Sequence, residues 1–140
     1  MENRMAKLTA AYFDSIGFHY SLTGENNEAI DTGIGGMDNM SSVRILFIFD
    51  DDESSTVHAV VPQLVKVPGN KMESMYKVIN DINQHFRWVK FYIDSDGDVR
   101  VDADAILDMD TCGKECFEIL QRMAGICDEA YPILMKEIWK

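Results

Sequence analysis

Val43-Arg44-Ile45-Leu46-Phe47-Ile48-Phe49, then Asp50-Asp51-Asp52-Glu53-Ser54-Ser55, then Thr56-Val57-His58-Ala59-Val60-Val61 is the stretch that decides the fold class. Apart from Arg44, the first run is apolar on both alternating faces, which predicts a central strand covered on both sides and the least mobile one in the chain. The acidic run after it would repel itself if buried, so it reads as a solvated turn. Thr56 to Val61 then return as the partner strand of a hairpin, with Pro62 and Pro68 punctuating the exit. So short a connection requires antiparallel pairing.

On the C-terminal side of this hairpin, Met72, Met75, Tyr76, Ile79, Ile82 and Phe86 recur at helical spacing, with Lys71, Lys77 and Asp81 left for solvent. Val89, Phe91 and Ile93 alternate with Trp88, Lys90 and Tyr92, and Val99, Val101, Ala103 and Ala105 alternate with Arg100, Asp102 and Asp104. These are two strands joined by Asp94-Ser95-Asp96-Gly97-Asp98, whose Asp-Gly pair signals a tight turn. Asp110 or Thr111 can cap a final helix that turns Cys116, Leu120, Met123, Cys127, Tyr131, Leu134 and Ile138 to the core and runs nearly to Lys140. Pro132 cannot donate a backbone hydrogen bond, which predicts a kink or break near Asp128 to Pro132.

On the N-terminal side, Met5, Leu8, Tyr12 and Ile16 share one face of a helix over about 3 to 16, ended by Gly17 in the left-handed conformation. Phe18, Tyr20 and Leu22 alternate as a strand, and Ile30, Thr32 and Ile34 suggest a second, closed by Gly35 and Gly36 in a loop that reads as flexible. The order is α-β-β-β-β-α-β-β-α, an α+β fold with helices packed on a mainly antiparallel sheet, in one domain over residues 1 to 140.

Thirteen Lys and Arg stand against 24 Asp and Glu, a formal charge of -11, the wrong sign for neutralising phosphates or anionic headgroups. Nucleic acid and membrane are therefore not expected partners. No stretch approaches the roughly 20 apolar residues of a membrane span, and the N-terminus does not read as a signal peptide. Cys112, Cys116 and Cys127 are odd in number and clustered, which points to a reducing compartment, the cytoplasm.

Each group of chemically capable residues is incomplete. Asp94, Asp96 and Asp98 begin like a calcium loop, but Val99 stands where its glycine belongs and Ala105 where its glutamate does. Cys116 and Cys127 lie about 16 Å apart on one helix, too far to share a metal. The thiols fall on the core face, where a thiolate is unfavourable, and His19, His58 and His85 are scattered. Gly33-Ile34-Gly35-Gly36 has no phosphate-binding spacing. No catalytic residue, metal site or cofactor is expected. Trp88 and Tyr92, interleaved with Lys90 on the strand face opposite Val89, Phe91 and Ile93, are the candidate partner-binding residues if no helix covers that face.

Met75-Tyr76, Ile79-Asn80, Ile82-Asn83, Phe86 or Trp88, Lys90-Phe91, Ile93-Asp94, Asp96-Gly97-Asp98-Val99 and Ala130-Tyr131-Pro132 form a pattern that resembles the YbjN family of bacterial sensory transduction regulators. It covers about the last 70 residues closely and the first 70 in element order. The resemblance implies a fold similar to that of the type III secretion chaperones, which are small, acidic, usually dimeric and bind proteins without catalysis. It implies no catalytic residues, and Asn80 and Asn83 read as structural amides that can bond the helix end or the next strand. The resulting expectation is a non-enzymatic regulatory or chaperone-like homodimer that binds another protein. The alternative is a small-molecule sensor or enzyme with a pocket between sheet and helices.

Overall fold

A computed structural model describes residues 2–51 and 55–140; Asp52, Glu53 and Ser54 of the acidic turn lie outside the described residues. The elements are α1 (Arg4–Ser15), β1 (Ser21–Thr23), β2 (Ala29–Gly35), β3 (Ser42–Phe49), β4 (Thr56–Lys66), a 3-10 turn (Gly69–Lys71), α2 (Met72–His85), β5 (Lys90–Ile93), β6 (Asp98–Ile106) and α3 (Cys112–Ile138). The order is the expected one. The six strands form one sheet in the order β1-β2-β3-β4-β6-β5, every neighbouring pair antiparallel.

The helices gather on one face of the sheet. Ile45, Phe47, Val57, Ala59, Val61, Val99 and Val101 of that face are buried with Phe13 of α1, Met75 and Ile79 of α2, and Leu120, Met123 and Leu134 of α3. This corrects the expectation that β3 is covered on both sides. Its other face carries Arg44, which pairs with Asp31 at 2.8 Å, and the half-buried Leu46 and Ile48. Cross-strand neighbours give these side chains partial cover. Val60, only 2% exposed, sits between Leu46 and Asp102 on the open face, outside the main core.

Local chemistry sets the ends of α1. Asn3 accepts from the Ala6 N–H at 3.0 Å as N-cap and donates to the Asp50 carbonyl at 2.6 Å, so one amide starts the helix and ties it to the end of β3. At the other end Gly17 is left-handed, with φ +72°; its N–H bonds the Asp14 carbonyl and the Phe18 N–H bonds the Phe13 carbonyl. That pair of bonds is a Schellman motif, and it folds Phe18 onto Phe13 with ring centroids 5.2 Å apart. Phe18 therefore belongs to the helix stop and not to the strand that its alternation with Tyr20 suggested. β1 begins only at Ser21.

Two further differences come from packing. α1 buries Met5, Ala6, Thr9, Ala10 and Phe13, leaving Leu8 and Ile16 of the expected stripe exposed. The small residues face inward because α1 lies close against α3: a Cβ on Gly113 would meet Tyr12 Cβ at 2.3 Å. In α2, Tyr76 of the expected stripe is exposed while Met75, Ile79 and Ile82 are buried. β4 runs through Pro62 to Lys66, accommodated by a register shift between Val61 and Val65 against β6.

α3 continues through Pro132 without the expected break. Pro132 leaves the carbonyl of Asp128, four residues earlier, without its helical donor, and the Asn39 side-chain amide bonds that carbonyl at 3.0 Å. The Asp128 carboxylate, 7% exposed, accepts the backbone N–H groups of Asp38, Asn39 and Met40 at 3.2, 2.9 and 3.0 Å. The glycine-flanked loop read as flexible is thus held to α3 by four hydrogen bonds.

Candidate partner-binding face and edge

Tyr92 lies on the open face of the sheet. Its hydroxyl donates to Asp102 Oδ2 at 3.0 Å, and Lys90 Nζ and the Arg100 guanidinium stand 5.7 and 5.8 Å from its ring centre. Burial first, then the hydrogen bond from Tyr92 to Asp102 and that carboxylate's charge, raise the phenol above its ordinary pKa of 10.0. His58 completes the cluster, with Nε2 3.4 Å from Asp102 and Nδ1 2.6 Å from Asp104. Asp102 is 5% exposed. Its alternation with Val101 and Ala103 places it on this outer face, where the neighbouring strands bury it.

Trp88 is elsewhere. The expected shared face does not form, because Trp88 takes φ +79° and β5 starts only at Lys90, so the alternation that would align Trp88 with Tyr92 is interrupted. The Trp88 ring turns to the helix side, 4.8 Å from the Arg122 guanidinium of α3 and 5.4 Å from that of Arg87. It roofs a recess of about 160 Å³ between sheet and helix, lined by Val89, Ala103, Ala105, Ile119 and Arg122. Trp88 is 61% exposed and therefore not a core residue.

β6 outruns its outer neighbour. The Leu107 N–H bonds the Ser55 carbonyl at 2.7 Å, so odd-numbered residues of β6 turn their backbone groups to β4 and even-numbered ones turn away. Asp102 and Arg100 meet Lys90 and Tyr92 of β5, but among the described residues no strand pairs with Asp104 or Ile106 on that side. The edge of β5 itself is covered: the Asn83 carboxamide accepts from the Phe91 N–H at 2.8 Å and donates to its carbonyl at 2.9 Å. Asn83 therefore bonds the next strand, whereas Asn80 is exposed. Sequence reading missed Ile106, 83% exposed. The signal was present, since Ile106 follows Arg100, Asp102 and Asp104 in the polar register of its strand.

The other chemically capable groups are engaged internally. Asp94 Oδ1 accepts from the N–H groups of Asp96 and Asp98 at 2.9 and 3.0 Å, which orders the hairpin turn around Gly97 at φ +80°. Carboxylate oxygens of Asp94, Asp96 and Asp98 lie within 4.8 Å of one another, and Lys66 already brings a cation there, 3.6 Å from Asp98 and bonded to the Asp96 carbonyl. The three cysteines are free and buried. Burial pushes Cys116 and Cys127 from 9.0 up to about 12; the Thr9 hydroxyl partly offsets this for Cys116, and the Asp128 charge adds to it for Cys127. Cys116 and Cys127 pack on the helix side of the sheet and His58 lies on the other, so no thiol–imidazole pair forms between them.

In the folded protein both thiols keep their protons to about pH 12, whereas the unfolded chain releases them near 9. The unfolded state binds fewer protons in between, so stability is full below that range and falls as pH rises through it. We expect a loss of about 1 to 2 kcal/mol for the two thiols together between about pH 8.5 and 9.5. Denaturant titrations should show this loss flattened in the double variant Cys116→Ala, Cys127→Ala. A thiol reagent at about pH 8 that labels Cys116 in the native protein as fast as in the unfolded chain would contradict the burial.

Among curated proteins, none matches this chain. Solved structures do. YbjN from E. coli, described as a putative transcription regulator, aligns with a TM-score of 0.55 at 14% identity over 90% of this chain and 90% of that chain. A chain of the ExsC-ExsE complex aligns at 0.58 with 19% identity, over 96% and 97%. A chain of the heterodimeric ExoU-SpcU complex, from the type III secretion system of Pseudomonas aeruginosa, aligns at 0.55 with 16% identity, over 91% and 95%. At these identities the likeness establishes the fold, that of the type III secretion chaperones. The YbjN family model, described as "Putative bacterial sensory transduction regulator", matches residues 10–134, which extends the resemblance from the second half to the whole sheet. From Ala10 in α1 to Leu134 in α3, then, the chain belongs to the YbjN family.

Proposed function

We propose that this chain is a non-enzymatic regulatory or chaperone-like protein of the bacterial cytoplasm that acts by binding another protein, works as a homodimer, and uses Trp88 and Tyr92 among its partner-facing residues. The observation that carries this is apolar surface gathered at a sheet edge: Trp88 and Ile106, 61% and 83% exposed, flank unpaired backbone. Two neighbours in fold come from complexes with a second protein, in keeping with such a role. The recess under Trp88 measures about 160 Å³, short of the roughly 300 Å³ at which small-molecule pockets begin, so that recess suits a single side chain better than a whole ligand. The charge of -11 disfavours nucleic acid and membrane.

Native mass spectrometry of the protein purified from its own host should find a second protein in fixed stoichiometry. A bound metabolite in its place would move the assignment to the ligand-sensing alternative. Light scattering at high micromolar concentration should give the mass of two chains, since salt screens the mutual repulsion beyond about 8 Å. A monomer under those conditions ends the homodimer proposal. Trp88→Asp should leave the circular dichroism native while weakening the partner complex.

A further inference from the structure

We infer that two copies of this chain meet through the outer face of α3, laid antiparallel on its own copy about a two-fold axis between Gly125 and Ile126. The inference rests on the homodimer reading above and supplies its interface.

The charges of α3 complement themselves in reverse. Glu115, Arg122, Glu129 and Lys136 recur every seven residues with alternating sign. Seven residues are close to two helical turns, so the four form one row along the helix. Arg122, Glu129 and Lys136 are exposed, and Glu115 is half-buried. The two-fold axis sets Arg122 opposite Glu129 of the second copy, and Glu115 opposite its Lys136. A parallel copy would set each charge against its own sign. Among the described residues Glu129 and Lys136 make no ion pair within the chain, whereas Arg122 bonds Glu118 at 2.8 Å. Glu115 is held by the Thr111 hydroxyl at 2.6 Å, so the inner pair, Arg122 with Glu129, carries the selectivity.

The middle of the row is shaped for close approach. Gly125 is exposed, and a Cβ on it would meet nothing within 4 Å. Together with Trp88, Gln121, Arg122, Ile126 and Glu129 it lines an open groove of about 290 Å³. The axis places the half-buried Ile126 of each copy over Gly125 of the other, where the absent side chain lets the two backbones come together. Trp88 and Ile133, 61% and 44% exposed, extend the apolar contact away from the axis. These apolar groups supply the attraction, since exposed ion pairs contribute little by themselves; the charges set direction and register. The repulsion between two chains of charge -11 is screened beyond about 8 Å, and the contacts lie inside that distance. A helix from an unrelated protein fits less well, because the alternating row with a glycine at its midpoint is matched in full by the same helix reversed.

Sedimentation of charge-reversed full-length chains tests this. Arg122→Glu alone and Glu129→Arg alone each oppose like charges twice per dimer, and each should weaken self-association at least about tenfold. The two positions stand about 10.5 Å apart along one helix, beyond direct contact within a chain. Mixing the two variants pairs every reversed charge with its opposite, and should restore a dimer of one chain of each to within about threefold of the wild-type dissociation constant. Gly125→Leu raises helix propensity, so its circular dichroism should stay native while the dimer is lost. Should either reversal fail to fold, Gly125→Leu decides alone. The inference is overturned if the dimer tolerates the reversals, if the mixture stays monomeric, or if Gly125→Leu associates like the wild type. It is equally overturned if the reversals spare the dimer and abolish a complex with a host protein, which would assign the face to that protein. A wild-type dimer indifferent to all these variants leaves the homodimer proposal standing on another interface. A wild-type monomer at high micromolar concentration ends both.

Discussion

Asp128→Ala is expected to lower the unfolding free energy by about 2 to 4 kcal/mol, although it removes only one side chain from a helix surface. The carboxylate receives three consecutive backbone N–H groups, from Asp38, Asn39 and Met40, at a site where Asp128 is 7% exposed. Alanine leaves those donors without that partner; a donor that water cannot reach costs about 1 to 3 kcal/mol, and here Met40 is half-buried while Asp38 and Asn39 are exposed. Water will recover part of this, which sets the upper bound below the simple sum. Asp128→Asn keeps one acceptor oxygen and should cost less than half as much. Amide exchange gives the sharper measurement: in the alanine variant residues 38 to 40 should exchange orders of magnitude faster while the α3 amides near Leu120 keep their protection. A loss under about 1 kcal/mol, with the loop amides still protected, would show that the loop is held by something other than this carboxylate.

Phe47→Ala should cost about 3 to 5 kcal/mol, whereas Leu46→Ala next to it should cost under about 2. Phe47 is 0% exposed and faces the helices, its ring centre 6.4 Å from that of Phe13. Phe13 in turn meets Phe18, Tyr20 and Phe117 at 5.2, 5.9 and 6.2 Å, so the cavity would open inside an aromatic cluster joining α1, β3 and α3. Rings fixed on separate elements cannot all move into one gap, which keeps the cavity open and its cost high. Leu46 is half-buried on the open face, where solvent or neighbouring strands can fill the space it leaves. Urea titrations of the two variants compare the faces directly. Equal losses would mean that the open face is covered in solution, by a second copy or another partner.

The sequence by itself determined the elements and their order, because strand and helix periods are local properties and most stop signals lie within a few residues of what they stop. Gly17 ends α1 and Asp96-Gly97 turns β5 into β6 as their neighbours dictate. The acidity, the incomplete calcium pattern around Asp94 and the family pattern from Met75 to Pro132 were legible in the same way. Only the tertiary structure decided which apolar face is covered and where the candidate site lies. An apolar run such as Val43 to Phe49 reads alike whether one layer of helices or two will cover it. Asp128 looks like any acidic helix residue until the loop 88 to 90 residues earlier arrives with three N–H groups. Trp88 and Tyr92 seem to share a face until one positive φ separates them, and Ile106 becomes an exposed edge only because β5 ends its pairing at Asp102. Each of these outcomes depends on which distant backbone reaches a residue, and the period of the local sequence carries no record of that.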